Sequence, residues 1–322
     1  MNYLIRFFRF IKNNFGKIIL TVLFFIVFTI ILFPLGDLSD FISSKVSILT
    51  GNQVYLQLDK IHINPLTVSI GMENVLLETK SIENLTITNL TAAPSILSLI
   101  SKRPGGILTA EGILSGNAVI KVSPSTTKNK TDQPKSNVEI NLEKISLKDL
   151  RHTFNLSLPI SGILNMNAQA LVDLAFTEQP DGELTATIQK FELAGGNINL
   201  QDMGSLNLPE IKFSSIDLKS KFQAGKFVIE NIRLGTAADD LSGTVKGDLN
   251  IVVQNMNGQI FPVINGYTLS VELIAKQSFK DRASFFLSFI DRFQSTDAAG
   301  TRYKFKLVSM SPGAPPQMTP LQ

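Results

Sequence analysis

The side chains best suited to chemistry are few in this 322-residue chain, and their spacing does not assemble them. His62 and His152 are the 2 histidines. Each is flanked by strand-like residues and has no serine, aspartate or second ligand at motif spacing, so a triad from either would need tertiary convergence. The pairs Asp239-Asp240 and Asp181/Glu183 are the acid/base candidates, but both lie in turn-like sequence, where carboxylates are ordinarily solvated. No His/Asp/Glu group has metal-ligand spacing, and the chain has no cysteine to supply a thiolate or a disulfide. Gly105-Gly106 and Gly195-Gly196 read as turns rather than phosphate cradles. Four glycosylation-type sequons, at Asn84, Asn89, Asn129 and Asn155, are expected by chance in a chain this rich in Asn, Ser and Thr. The expectation is no catalytic residue, no metal, no cofactor and no enzyme.

The elements that would hold such residues begin with a membrane signal. Ile18 to Gly36 is a run of 19 uncharged residues, preceded by Arg6, Arg9, Lys12 and Lys17 and followed by Asp37 and Asp40. As a helix it reaches roughly 28 Å, close to the hydrocarbon thickness of a bilayer. The charge asymmetry predicts a cytoplasmic N-terminus and a single pass, with the rest of the chain outside the cytoplasm. A cleaved signal peptide is the competing reading, yet Phe33-Pro34-Leu35-Gly36-Asp37 lacks a small-x-small cleavage pattern.

Composition then bounds the remainder. At 44% hydrophobic and 18% charged, the chain has enough apolar material for a substantial core. Its net charge is +3, and removing the four opening cations leaves −1, so no nucleic-acid footprint remains.

Past the anchor, residues 37–49 place Leu38, Phe41, Ile42, Val46 and Leu49 at helical spacing, with Asp37 as a candidate N-cap. The period then changes to two. Val54, Leu56 and Leu58, and Val68, Ile70 and Met72, alternate with polar residues. A short helical segment follows Pro94. Residues 123–136 contain two prolines, three lysines and no apolar side chain, which reads as a linker or long loop. Alternation resumes with Val138, Ile140 and Leu142, then Leu164, Met166 and Ala168, and recurs to Tyr303–Leu307. Asp281 to Phe293 is the late exception, a helix expected to carry Phe285, Phe286, Phe289, Ile290 and Phe293 on one face and to be capped by Asp281. It either plugs the end of a β core or docks on a membrane or partner. The Pro-rich tail, 311–322, reads as extended or disordered.

The fold class expected is mainly β: a mostly antiparallel sheet of about 14 short strands, with short helices. Its apolar face requires cover from a second sheet, from barrel closure or from curling into a trough. The organisation expected is an anchor (1–36), a first helix and β region (37–122), the linker or loop (123–136), a second β region (137–310) and the tail (311–322).

The order of these features resembles known bacterial families. Phe33-Pro34, the 37–49 helix, Thr50-Gly51 and the strands 54–63 and 65–77 are similar to the opening of AsmA-like proteins, as is the strand, short helix, strand unit formed by Leu85–Ile87, Ser95–Ile100 and Ile113–Val122. Ser161-Gly162-Ile163-Leu164, Asp181-Gly182-Glu183-Leu184 and the 281–293 helix followed by Tyr303-Lys304-Phe305 resemble the GspN family, the N component of type II secretion systems. The Lys-rich 123–136 stretch matches neither pattern. The resemblance implies an inner-membrane anchor, a periplasmic β-groove, secretion-machinery proteins as partners, and phospholipid as a ligand in the AsmA manner. The residues then expected to face the groove are Val54, Leu56, Leu58, Val68, Ile70, Met72, Val138, Ile140, Leu142, Leu164, Met166 and Ala168.

Overall fold

Alternation of apolar and polar residues does produce strands here, and nearly all of them join one sheet. The computed structural model describes residues 14–32, 35–64, 67–79, 82–200, 204–256, 259–298, 300–311 and 315–321. Two helices come first, α1 (Phe15–Leu32) and α2 (Leu35–Leu49). They are followed by β1 (Val54–Gln57), β2 (Lys60–Asn64), β3 (Ser69–Thr79), β4 (Leu85–Pro94), helix α3 (Ile96–Ser101), β5 (Gly106–Ile113), β6 (Gly116–Lys128) and β7 (Pro134–Ser146). Helix α4 (Leu147–Thr153) leads into β8 (Ile160–Val172), β9 (Asp181–Leu193), the hairpin β10 (Gly196–Leu200) and β11 (Gly204–Leu208), β12 (Ile211–Gln223), β13 (Lys226–Leu234), β14 (Leu241–Met256) and β15 (Gln259–Ala275). Helix α5 (Gln277–Ser288), a 3₁₀ turn at Asp291–Phe293, β16 (Gln294–Asp297), β17 (Gly300–Ser309) and β18 (Gln317–Pro320) complete the chain.

The main sheet has 16 strands in the order β1-β3-β4-β5-β6-β7-β8-β9-β12-β13-β14-β15-β17-β16, with β2 also on β3 and β18 also on β17. Every pairing is antiparallel. Its two ends do not pair with each other, so the sheet is open, and the other sheet among the described residues is the two-stranded β10–β11 hairpin.

Core residues gather at the two ends. Near the first end, α2 lays Leu38 and Ile42 on Leu58, Ile61, Val75, Ile87, Ala110 and Ala118. Near the other, α5 lays Phe279, Ala283 and Leu287 on Val271, Ala275, Tyr303 and Phe305. This helix differs from its sequence reading. It starts at Gln277 with Lys276 as N-cap, Asp281 lies inside it, and its own buried side chains are Phe279, Ala283 and Leu287; of the expected face, Phe293 is buried in the 3₁₀ turn that follows and Ile290 packs against the same core. Phe285 and Phe289 are 59% and 58% exposed and meet edge to face. Ala283 has non-helical backbone angles (φ −113°, ψ 17°), which breaks the regular angular spacing on which the expected face depended.

Two polar stretches are also more ordered than their composition suggests. Residues 123–136 form the far end of a hairpin, in which β6 extends to Lys128 and β7 begins at Pro134. The sheet therefore continues without a break between the two expected β regions. In the tail, β18 pairs with β17, so Gln317–Pro320 is strand.

The expected anchor falls partly outside the described residues, as does the side chain of the proposed cap Asp37. Among the described residues no helix is long and apolar enough to cross a membrane. The side chains of Phe15, Ile19, Leu20, Leu23, Phe24, Phe25 and Phe28 on α1 are exposed.

Candidate functional site

Residues paired directly across antiparallel strands point to the same face of a sheet. Following those pairs from strand to strand traces one apolar row across the molecule: Ile61, Met72, Leu90, Ala110, Ala118, Leu142, Met166, Ala186, Leu218, Ile232, Val245, Val271 and Phe305. A second row beside it runs Ile63, Ile70, Ala92, Leu108, Ile120, Ile140, Ala168 and Leu184. The opposite face is polar. Its corresponding row reads Thr91, Thr109, Val119, Asn141, Asn167, Thr185, Lys219 and Asn231, and it carries ion pairs such as Lys121–Glu139 and Arg233–Asp217.

Between the helix-covered ends this apolar face is buried near the strand ends, at Ile145 and Val172, and partly open between them. Val138, Ile140, Leu164, Met166 and Ala168 are half-buried and belong to neither core cluster, while Leu142 touches the first cluster from its edge. These are the residues expected to face a groove, and they share one continuous surface. The earlier candidates divide. Leu56, Leu58 and Met72 pack beneath α2, so they line a covered end rather than open space. Val54 is half-buried in β1, Ile70 is exposed in the second row, and Val68 sits just before β3 in a left-handed turn (φ 51°).

The rim beside α3 holds an almost wholly apolar concavity of about 500 Å³, lined by Ala92, Pro94, Gly106, Leu108, Val122 and Leu174 among others. Leu174 reaches it from the β8–β9 connection, which is fastened by polar contacts. Asn129 Nδ2 donates to Asp173 Oδ2 (3.1 Å), and the Thr177 hydroxyl donates to the same carboxylate. Burial alone would raise the Asp173 pKa, but hydrogen bonds from Thr177, Asn129 and the Ala175 and Thr177 amides outweigh it and hold the carboxyl at about 2. Lys135, buried, pairs with Glu178 at 2.8 Å. Gln179 bonds both backbone groups of Val253, at 2.8 and 2.9 Å, which ties this connection to β14.

The acid/base candidates are engaged in similar fastening. Asp239 accepts from the Ser214 hydroxyl and the Thr236 amide at 2.7 Å each, and these bonds hold its pKa down despite burial. Asp240 pairs with Arg282 on α5 at 3.1 Å. Asp181 accepts from the Ala224 amide, and Glu183 lies 3.8 Å from Lys221. His62 lies against Gly71, where a Cβ would fall 2.0 Å from its Nε2. His152 contacts Arg151, whereas the nearby Ser115 hydroxyl donates directly to Asp149 at 2.6 Å, so the three do not form a serine–histidine–carboxylate relay. Among the described residues no group of three or more His, Cys, Asp or Glu is placed to hold a metal ion.

No family model matches the chain, and neither a curated protein nor a solved structure is similar to it. Sequence reasoning had missed the β8–β9 fastening. Its signal was the run Asp173 to Gln179, whose hydrogen-bonding side chains could close a turn.

Proposed function

We propose that this chain works without catalysis, as an inner-membrane-anchored periplasmic component of type II protein secretion whose working surface is the apolar face of its open sheet. The observation that carries the reading is the uninterrupted apolar rows, whose middle residues Ile140, Met166 and Ala168 stay half-buried. Such a surface binds acyl chains or apolar polypeptide. The secretion assignment itself rests on the resemblance of the sequence to the GspN family. The anchor rests on the 19 uncharged residues from Ile18 to Gly36 and the four cations before them.

Deleting the gene from its host and comparing exported proteins tests the assignment. Secretion substrates are expected to accumulate in the periplasm and to be released again when the intact chain is restored. An unchanged set of secreted proteins would remove the secretion role.

The second reading is lipid binding or transfer in the AsmA manner, and the half-buried middle of the apolar face favours it. Mass spectrometry of the full chain, purified in detergent and washed, is expected to find retained phospholipid. A lipid-free preparation would count against this reading without touching the first.

A further inference from the structure

Helix α3 is built inside out. A short surface helix ordinarily turns its apolar side chains inward and its small polar ones to solvent. Among the described side chains of this helix, Ile96, Leu99 and Ile100 are 66%, 59% and 77% exposed, and Ser98 is buried. Ser98 is seated on Gly105, where a Cβ would lie 2.0 Å from its Oγ, and that buried hydroxyl has no hydrogen-bond partner. The arrangement is held in place: the Lys102 and Arg103 amides close the helix onto the Leu99 and Ser98 carbonyls, with Lys102 in the left-handed conformation. Three large aliphatic side chains are thus displayed on a fixed turn at the rim of the apolar concavity.

Along the chain, the charge next to them has one sign. From Leu90 to Ala110 the chain contains Lys102 and Arg103 but no Asp or Glu. Both cations are exposed, and neither forms an ion pair among the described residues. Exposed aliphatics flanked by cations, with acids excluded, complement the boundary between acyl chains and anionic headgroups. A protein partner would have to supply an acidic rim around an apolar socket, whereas an anionic bilayer presents both layers at any point of contact.

We propose that α3 and the apolar rim beside it are a bilayer-docking surface, which seats Ile96, Leu99 and Ile100 in the interfacial layer of an anionic phospholipid membrane with Lys102 and Arg103 among the headgroups. This contact is separate from the anchor, adjoins the second apolar row at Ala92 and Leu108, and holds whether or not the chain serves secretion.

The absence of cysteine makes the test direct. An environment-sensitive fluorophore is attached to Leu99→Cys in the full chain, with Thr185→Cys on the polar face as the control, and both proteins are reconstituted in phosphatidylcholine vesicles with or without 30% phosphatidylglycerol. Circular dichroism confirms that each variant is folded. At Leu99 the expected result is a blue-shifted emission, with quenching by shallow doxyl-labelled lipid at least threefold stronger in the anionic vesicles. Lys102→Glu with Arg103→Glu should abolish that difference, and the Thr185 label should stay accessible to aqueous quencher throughout. A water-accessible label at Leu99 in both vesicle types would overturn the proposal. So would equal quenching in both, or a label shielded from water yet untouched by doxyl lipid, which would mean contact with protein.

Discussion

The end of the sheet under α5 and the stretch from β7 to β9 carry the same two-residue alternation, but they are stabilised in different ways. Under α5, Ala275, Ala283 and Tyr303 are almost wholly removed from water, and the apolar face has become a core. From β7 to β9 the same face is half-open around Ile140, Met166 and Ala168, though Ile145 and Val172 are buried, and the rim is fastened by the Asn129–Asp173–Thr177 bonds, the Lys135–Glu178 pair and the bonds from Gln179 to Val253. The contrast teaches that an alternating strand specifies only which side is apolar. Whether that side becomes a core or a binding surface depends on what is laid over it.

The sharpest test of the contrast is a charge placed in each region. Ala283→Asp, at a position 1% exposed, should cost about 4 kcal/mol and unfold the α5 end, read by urea denaturation. Removing a rim fastener comes next. Asp173→Ala removes the acceptor of the Thr177 hydroxyl and of the Ala175 and Thr177 amides, leaving the Asn129 amide only its bond to Thr177, and should cost about 2 kcal/mol, with faster hydrogen exchange confined to 129–133 and 173–180.

Acid should mimic that variant. Because the folded pKa of Asp173 is depressed from 3.8 to about 2, its contribution is fully present above about pH 4 and is lost as the pH falls through about 2. Hydrogen exchange at the rim should therefore rise over that window before it rises under α5. Simultaneous loosening at both places would erase the distinction.

A charge in the open middle should do far less to the fold. Ile140→Asp and Met166→Asp are expected to cost about 1 kcal/mol while abolishing lipid capture or secretion, because their side chains are only half-buried. Thermal denaturation of both variants, beside photo-crosslinking to lipid from the same two positions, measures this. Unfolding with no lipid adduct would make the middle a filled core. The smallest effect expected is that of His62→Gln with His152→Gln, within about 0.5 kcal/mol in stability and with function intact, since neither ring sits in a catalytic arrangement. Lost function in a folded double variant would restore a chemical role to this surface.

Much of the architecture was legible in the sequence because period two reports directly on strand faces. Val138, Ile140, Leu142, Leu164, Met166 and Ala168 lie on one face as their spacing required. Three features were not legible, each for a physical reason. The 123–136 stretch has no apolar residue, so a hydrophobic pattern could not register a hairpin whose tip is closed by the Asn129 side chain bonding the Thr131 and Gln133 amides. The buried face of α5 depends on one residue, Ala283, leaving helical geometry. Leu56, Leu58 and Met72 differ from the open-face residues only in having α2 above them, a tertiary fact that alternation does not encode.

The order of the sheet also bears on how the chain comes to be folded. Apart from the β10–β11 detour and the edge strands at its two ends, each strand pairs with its neighbours in sequence, so closing one pair requires only the loop or helix between them. A polypeptide emerging N-terminus first meets its next partner almost as soon as that partner appears. The strand order thus lets assembly advance along the chain without waiting for distant segments. The hairpin β10–β11 stands between β9 and β12 as a separate two-stranded piece while those strands still pair with each other. Length in such a protein is an adjustable quantity: hairpins added to or removed from the series lengthen or shorten the apolar track without rewiring the strands on either side.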